Sequence, residues 1–406
     1  MLDKRANEIK VFYIAWIGLA FVLFVKYFDA SVNKINSTMF SFSYKYGFIS
    51  RGFVGSVYQF INKVISIDIM HYKYLFYFVL GVTLLFYILL AYYFFVCLKH
   101  SKLDVRNHVM YLIVFYTIFA VPMFCNEENF GRLDLYCLVL SILTAICIIY
   151  QKAEWLVIPF SMIGVMIHQG NVFMYLNIIL VLLLYRAFSE DVKKRKKYII
   201  LFAISFLSAS VLFLWFEFFS HAEGNNIYAE ICTMATQLGN NGQVHQDVID
   251  HEILGIDLTS REIIWKKINL QQLPIYLIIT IPYMILGAKF VRGIWNKCKT
   301  KFEKLKYFIL IAGAVTIVPD FLLKVDYGRW VFAVISYYCV VVLALLAMKD
   351  EIISTQLNEI FIELKNRHIV YYTPLILAFL LQPLEDVSIS PIVYDIAKFM
   401  WRLFLN

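Results

Sequence analysis

The sequence predicts an all-α polytopic membrane protein with about eleven transmembrane helices and a cytoplasmic N-terminus. Three observations carry that prediction. The 406 residues are 61% hydrophobic and only 16% charged, where soluble domains carry about a quarter charged residues. Apolar stretches long enough to approach a bilayer thickness of about 20 residues recur along the whole chain. The polar clusters fall between those stretches and not within them, as the cost of charge in hydrocarbon requires.

Taken in order, the first span runs over 11–28. It is too long for the apolar core of a signal peptide, and no small-residue cleavage site follows it. The segment 29–72 is an expected outer loop. Within it Phe53, Val54, Val57, Phe60, Ile61, Val64 and Ile65 recur at helical spacing, so an amphipathic helix lying in the membrane interface is expected. Further spans are read at 74–98, 108–124, 133–150, 154–168, 172–188 and 198–219, of which 108–124 and 154–168 are short. A large outer loop, 220–272, follows, with Gly239-Asn240-Asn241-Gly242 as a turn between two short polar helices. The remaining spans are 273–291, 306–323, 330–348 and 368–382. The segment Ile392–Leu405 carries Asp395, Lys398 and Arg402, which fits an interfacial helix better than a crossing. The whole of 1–406 reads as one integral membrane domain without internal repeats.

Lysine and arginine set the orientation. With the N-terminus inside, the short segments 1–10, 97–107, 151–153, 186–197, 289–306 and 349–367 hold roughly 23 of the 37 Lys and Arg, the bias of cytoplasmic loops. The net charge of +8 therefore reflects topology and anionic lipid, not nucleic acid. The seven cysteines form no C-x-x-C pair, so neither a disulfide framework nor a cysteine metal site is expected. His245, Asp247, Asp250, His251 and Glu252 crowd one stretch of the large loop without the spacing of a known metal site, and a solvated helix face is the expected reading. No Walker loop, dinucleotide fingerprint or nucleophile elbow is present, so neither soluble-nucleotide chemistry nor any cofactor is expected.

The clusters that remain all fall on the expected outer side. Arg51, Arg132, Arg261 and Arg329 are candidates to hold a lipid-linked phosphate, because guanidinium groups grip phosphate oxygens in fork geometry. The alternative for each is local pairing or reach toward lipid headgroups. Three of them adjoin glycine, which allows close backbone approach to a ligand. Asp29, Glu127, Asp134 and Asp326 are candidate bases for deprotonating an acceptor hydroxyl. Asp326 and Arg329 stand three residues apart, so a simple helical pair is an equal alternative. His168, at the hairpin His168-Gln169-Gly170-Asn171, completes the candidate catalytic set; a satisfied interfacial histidine explains it as well. Asp320 lies inside an apolar span and needs a partner there.

About eleven spans, one large outer loop in the second half, outer arginines and roughly 400 residues together resemble the Wzy-type polysaccharide polymerases of O-antigen and capsule loci. The segments Lys45-Tyr46-Gly47-Phe48-Ile49-Ser50-Arg51-Gly52 and Asp326-Tyr327-Gly328-Arg329-Trp330 look like signatures of such a family. The resemblance implies a glycosyltransferase of the bacterial cytoplasmic membrane. Its substrate would be an undecaprenyl-diphosphate-linked oligosaccharide, held by Arg51, Arg132, Arg261 and Arg329, and its further partners membrane lipids and a chain-length regulator protein. A second resemblance is to C-type glycosyltransferases that use a polyprenyl-phosphate sugar, which place an acidic residue in the first outer loop ahead of interfacial helices. Asp29 and the helix after Arg51 match that arrangement, but the usual paired-acid motif is absent. A polysaccharide or lipid transporter is the third reading; it would favour broken helices and polar groups near the midplane, such as Pro319-Asp320.

Overall fold

The computed structural model describes residues 2–28, 31–65, 67–220, 222, 226–254, 272–323, 327–366 and 368–380. Among these residues the regular structure is helical and no strand forms. The long helices are α1 (Leu2–Tyr27), α4 (Tyr72–His100), α5 (Arg106–Met123), α6 (Asp134–Tyr150), α10 (Val192–Phe218), α13 (Gln272–Lys297) and α16 (Tyr327–Ala347). Shorter ones are α2 (Lys34–Met39), α3 (Gly52–Val64), α7 (Val157–Ile167), α8 (Asn171–Met174), α9 (Leu176–Ser189), α11 (Ile227–Leu238), α12 (Gln246–Leu254), α14 (Lys301–Ala312), α15 (Val318–Leu323), α17 (Glu351–Lys365) and α18 (His368–Leu380).

Each stretch read as a span coincides with one or more of these helices. Five stretches among the described residues are long and apolar enough to cross a membrane: Asn7–Tyr27, Tyr72–His100, Leu103–Met123, Val192–Phe218 and Gly328–Ala347. The chain is therefore a helical membrane protein of several passes. Others are shorter than a crossing. At 1.5 Å per residue, the 11 residues of α7 rise only about 17 Å. The stretch 306–323 is interrupted, with a 3-10 turn over Gly313–Ile317 between α14 and α15.

Helix α16 is the central strut. It packs against α4, α5, α6 and α9, and 72% of its apolar window is buried, against 11% for α1 and 22% for α10 at the periphery. Hydrogen bonds inside the bundle join its neighbours, as backbone and hydroxyl groups away from water must be satisfied within the protein. Tyr93 of α4 donates to the Val340 carbonyl at 2.7 Å, Tyr116 of α5 reaches Ser336 at 3.1 Å, and Trp16 of α1 donates to Thr117 at 2.7 Å. Tyr337 and Tyr338 donate to the carbonyls of Leu310 and Ile311. The Tyr337 hydroxyl occupies the space a side chain at Gly313 would need. Asn177 of α9 donates to the Gly313 carbonyl and to Thr316. These bonds satisfy the backbone where the helix breaks.

The connections sort onto two ends. One end, here the basic end, carries 101–105, 151–156, 189–191, 298–300 and 348–350. It is held by the ion pairs Lys197–Glu154, Lys102–Glu351, Arg186–Glu190, Lys297–Glu359 and Lys289–Glu363. Asp350 begins α17 and accepts from Tyr185 and Tyr307. The other end, the cap, carries 31–71, 124–133, 168–171 and 219–254. Two of its segments fold together: Phe42, Tyr46 and Ile49 form a separate apolar cluster with Ile231 and Ala235 of α11 and Ile249 of α12. The two expected outer loops are thus one structure. The Asn240–Gly242 turn has positive φ at Asn241 and Gly242 and is flanked by α11 and α12.

The expected amphipathic helix is α3, and it has two working faces. Val54, Gly55 and Tyr58 are buried against the protein, while Val57, Phe60 and Val64 are exposed. Gly55 is required here, since a side chain would meet the Phe42 carbonyl oxygen at 1.9 Å. The segment Ile392–Leu405 lies outside the described residues.

Candidate active site at the cap end

The turn after α5 is built by Asn126 and Asn129. The Asn126 side chain accepts from the Asn129 backbone N–H at 2.9 Å, and the Asn129 carbonyl accepts from Arg132 at 3.0 Å. Gly131, at φ +91°, closes the turn against Val32 and Val79. The result separates the charges by face. Glu127 and Glu128 are exposed, whereas Arg132 is buried and Asp134, the first residue of α6, is 1% exposed. A carboxylate in the first helical turn also meets the positive end of the helix dipole.

His168 ends α7 in an extended conformation. Its ring folds over Gly170, where a side chain would clash with the imidazole, and its Nδ1 accepts the Gly170 N–H at 2.9 Å. An accepting Nδ1 places the proton of the neutral ring on Nε2. In this arrangement Nε2 is the nitrogen left to face Arg329. Asn171, buried at the start of α8, fills the space beside Gly164.

Arg329, in the first turn of α16, brings these segments together. Its Nε donates to Asp134 Oδ2 at 2.7 Å and its Nη2 to Asp134 Oδ1 at 2.9 Å, a bidentate pair between side chains 10% and 2% exposed. Nη2 lies 3.5 Å from His168 Nε2. The contact brings the imidazole to the edge of the Arg329–Asp134 pair. Arg132 is also within electrostatic reach of Asp134. The Arg329–Asp134 pair neutralises itself.

No protein-family profile, curated protein or solved structure matches the chain. The functional reading therefore rests on its own residues. Among the candidates, Asp134, His168, Arg132 and Arg329 converge. Arg51, half-buried, starts α3 in the left-handed region at φ 59°. Its neighbour Ser50 is tied to the His168 hairpin by a 2.6 Å bond to Gln169, and to Ser220 at 2.9 Å. Glu127 faces away from the buried group. Asp29, Arg261 and Asp326 lie outside the described residues. Asp320 is buried and has a polar partner.

The glycines do different work from that expected of them. At Gly52 the space for a side chain is taken by the Tyr44 ring, and at Gly131 by two valines. Both serve close packing within the chain. The sequence also gave no sign of Ser50 and Gln169 as a tie between segments 119 residues apart, because neither residue type nor spacing marks a long-range hydrogen bond. Among the described residues, no group of three or more His, Cys, Asp or Glu gathers as a metal site. In the cap, Tyr228 is pushed up to about 12 by its hydrogen bond to Asp250. Lys45 is raised by its bond to Glu230. Burial lowers His245.

Proposed function

We propose that the protein is a glycosyltransferase that polymerises polyprenyl-diphosphate-linked oligosaccharide repeat units at the outer face of a bacterial cytoplasmic membrane. One observation carries the reading. A buried group of Asp134, Arg329, Arg132 and His168 stands where apolar helices meet a polar cap, the depth at which a lipid-linked substrate presents its phosphates. In this scheme Arg132, with Arg51 and Arg261, grips the diphosphate. His168 Nε2–H donates to the leaving phosphate oxygen. Arg329 holds Asp134, and the pair fixes the geometry. A carboxylate that already accepts two N–H bonds is a weak base, so Asp29 or Asp326 deprotonates the acceptor hydroxyl.

A second reading is supported by α2 and α3, which lie in the connection between α1 and α4. That is where C-type glycosyltransferases carry interfacial helices. The discriminating assay uses purified protein and the lipid-diphosphate oligosaccharide as sole substrate. Polymerisation gives a ladder of products, and Arg132→Ala abolishes it while the protein remains in the membrane. One addition from a polyprenyl-monophosphate sugar, and no ladder, favours the second reading. Neither product removes both. Transfer from a soluble nucleotide sugar would overturn the outward-facing site.

A further inference from the structure

A cavity lies on the far side of the turn that carries Arg132 and Asp134. It is a cleft of about 670 Å³ lined by Asn33, Lys34, Glu127, Glu128, Asn240 and Gln243, with Ser31, Val32, Ile35 and Val244 completing it. Its size falls in the range of about 300–1,000 Å³ typical of small-molecule sites, yet seven of the ten lining residues are polar or charged. We propose that this cleft is a saccharide subsite, which binds a neutral, hydroxyl-rich oligosaccharide next to the buried arginine group. The inference rests on the glycosyltransferase reading and names where its glycan sits.

The chemistry of the lining selects the ligand. The planar amides of Asn240 and Gln243 both give and accept, and the carboxylates of Glu127 and Glu128 accept in pairs, which suits the adjacent hydroxyls of a sugar ring. Two carboxylates against one lysine leave the cleft net negative, so a phosphate headgroup is disfavoured there. A polyprenyl tail finds few apolar partners and belongs on the outward helix faces. Several of the cleft's parts are fixed in place. Asn33 caps α2 through its side-chain oxygen, at 2.9 Å from the Asn36 N–H, and donates to the Glu128 carbonyl at 2.9 Å. Asn36, buried behind it, donates to the carbonyls of Glu128 and Phe130. The 126–132 turn thus presents Glu127 and Glu128 to the cleft and Arg132 to the interior. One rigid piece of backbone would register a glycan on one face against its diphosphate on the other. The third wall, Asn240 and Gln243, comes from the turn between α11 and α12, so the site exists only when the cap is assembled.

The test is binding, read apart from catalysis. The probe is the lipid-free oligosaccharide released by mild acid from the host's polyprenyl-diphosphate pool, added to the full-length protein in detergent and followed by saturation-transfer NMR. We expect saturation transfer to wild type. The double variant Asn240→Ala, Gln243→Ala should bind roughly tenfold more weakly, a loss of about 1.4 kcal/mol, at an unchanged melting temperature. Gln243→Met keeps the side-chain volume on an exposed turn and should weaken binding in the same direction if the double variant misfolds. Equal affinity in wild type and variants, or no saturation transfer to wild type, overturns the subsite. The ladder assay separates the two claims. Binding at the cleft with no transfer from the lipid-linked substrate removes the enzyme reading alone, and transfer with binding indifferent to Asn240 and Gln243 removes the cleft alone.

Discussion

Arg329 commits its Nε and an Nη2 N–H to Asp134 in a site closed to water, and this fixes what substitution will do. Removing one member of a buried ion pair costs about 3–5 kcal/mol, because the other charge is left without compensation, whereas removing both costs much less. Arg329→Ala and Asp134→Ala should each lower the melting temperature of the detergent-solubilised protein sharply. The double alanine variant should melt above either single one. Additive losses would show that the two side chains do not depend on each other. Loss of activity in Arg329→Ala alone therefore says nothing about phosphate binding, and Arg132 is the cleaner probe of the clamp. At this scale the sequence was partly legible. It marked Asp134, His168, Arg132 and Arg329 as costly charges at span edges, and it offered Asp326, outside the described residues, as a local partner for Arg329. The partner found among the described residues is 195 positions away, a distance no local spacing reveals.

Among the elements, α3 and the α11–α12 pair repay comparison. The helical period of 53–65 was legible because one apolar stripe repeats over three turns. That the opposite face, through Gly55 and Tyr58, would pack into the protein was not, since glycine carries no hydropathy signal. The two cap segments read as separate loops because each is too polar to announce a core. Their shared cluster takes three apolar residues from each. His245, half-buried at the entrance to α12, gives this small core a pH dependence. Its backbone N–H donates to Thr38 at 3.1 Å. Burial lowers its pKa, Lys34 lowers it further, and Asp247 opposes both. The unfolded histidine, near its ordinary pKa of about 6.5, then takes up a proton before the folded one. Stability from the neutral ring is thus present above that pH and lost as pH falls below it. The melting temperature should drop between about pH 7.5 and pH 5.5. His245→Gln should shrink the drop. An unchanged drop in that variant would place the pH sensitivity elsewhere.

For the whole molecule, the sequence separated two sets of loops by charge, and the structure gathers the same segments at two ends. Hydropathy and lysine bias carry that much because both are properties of single segments. Which helix stands at the centre was not legible. Helix α16 reads like any other apolar stretch, and only packing against α4, α5, α6 and α9 distinguishes it. The break at Gly313–Ile317 was hidden for the same reason, because tertiary hydrogen bonds stabilise it, whereas the hairpin at His168 was legible from its polar residues. The orientation of the two ends is open to direct measurement. Reporter fusions after Lys197 and after Lys301 should read cytoplasmic, and one near Asn240 should read external. A cytoplasmic signal near Asn240 would invert the molecule and take the external substrate with it. The late position of α16 in the chain also has a consequence for biosynthesis. Asp134 enters the membrane with α6, and Arg329 follows 195 residues later, roughly 10–40 s of translation at about 5–20 residues per second. During that interval the nascent bundle holds Asp134 without the bidentate partner it has in the finished protein. Until α16 is inserted, the half-built protein leaves Asp134 to Arg132 and His168, the earlier neighbours that act on it.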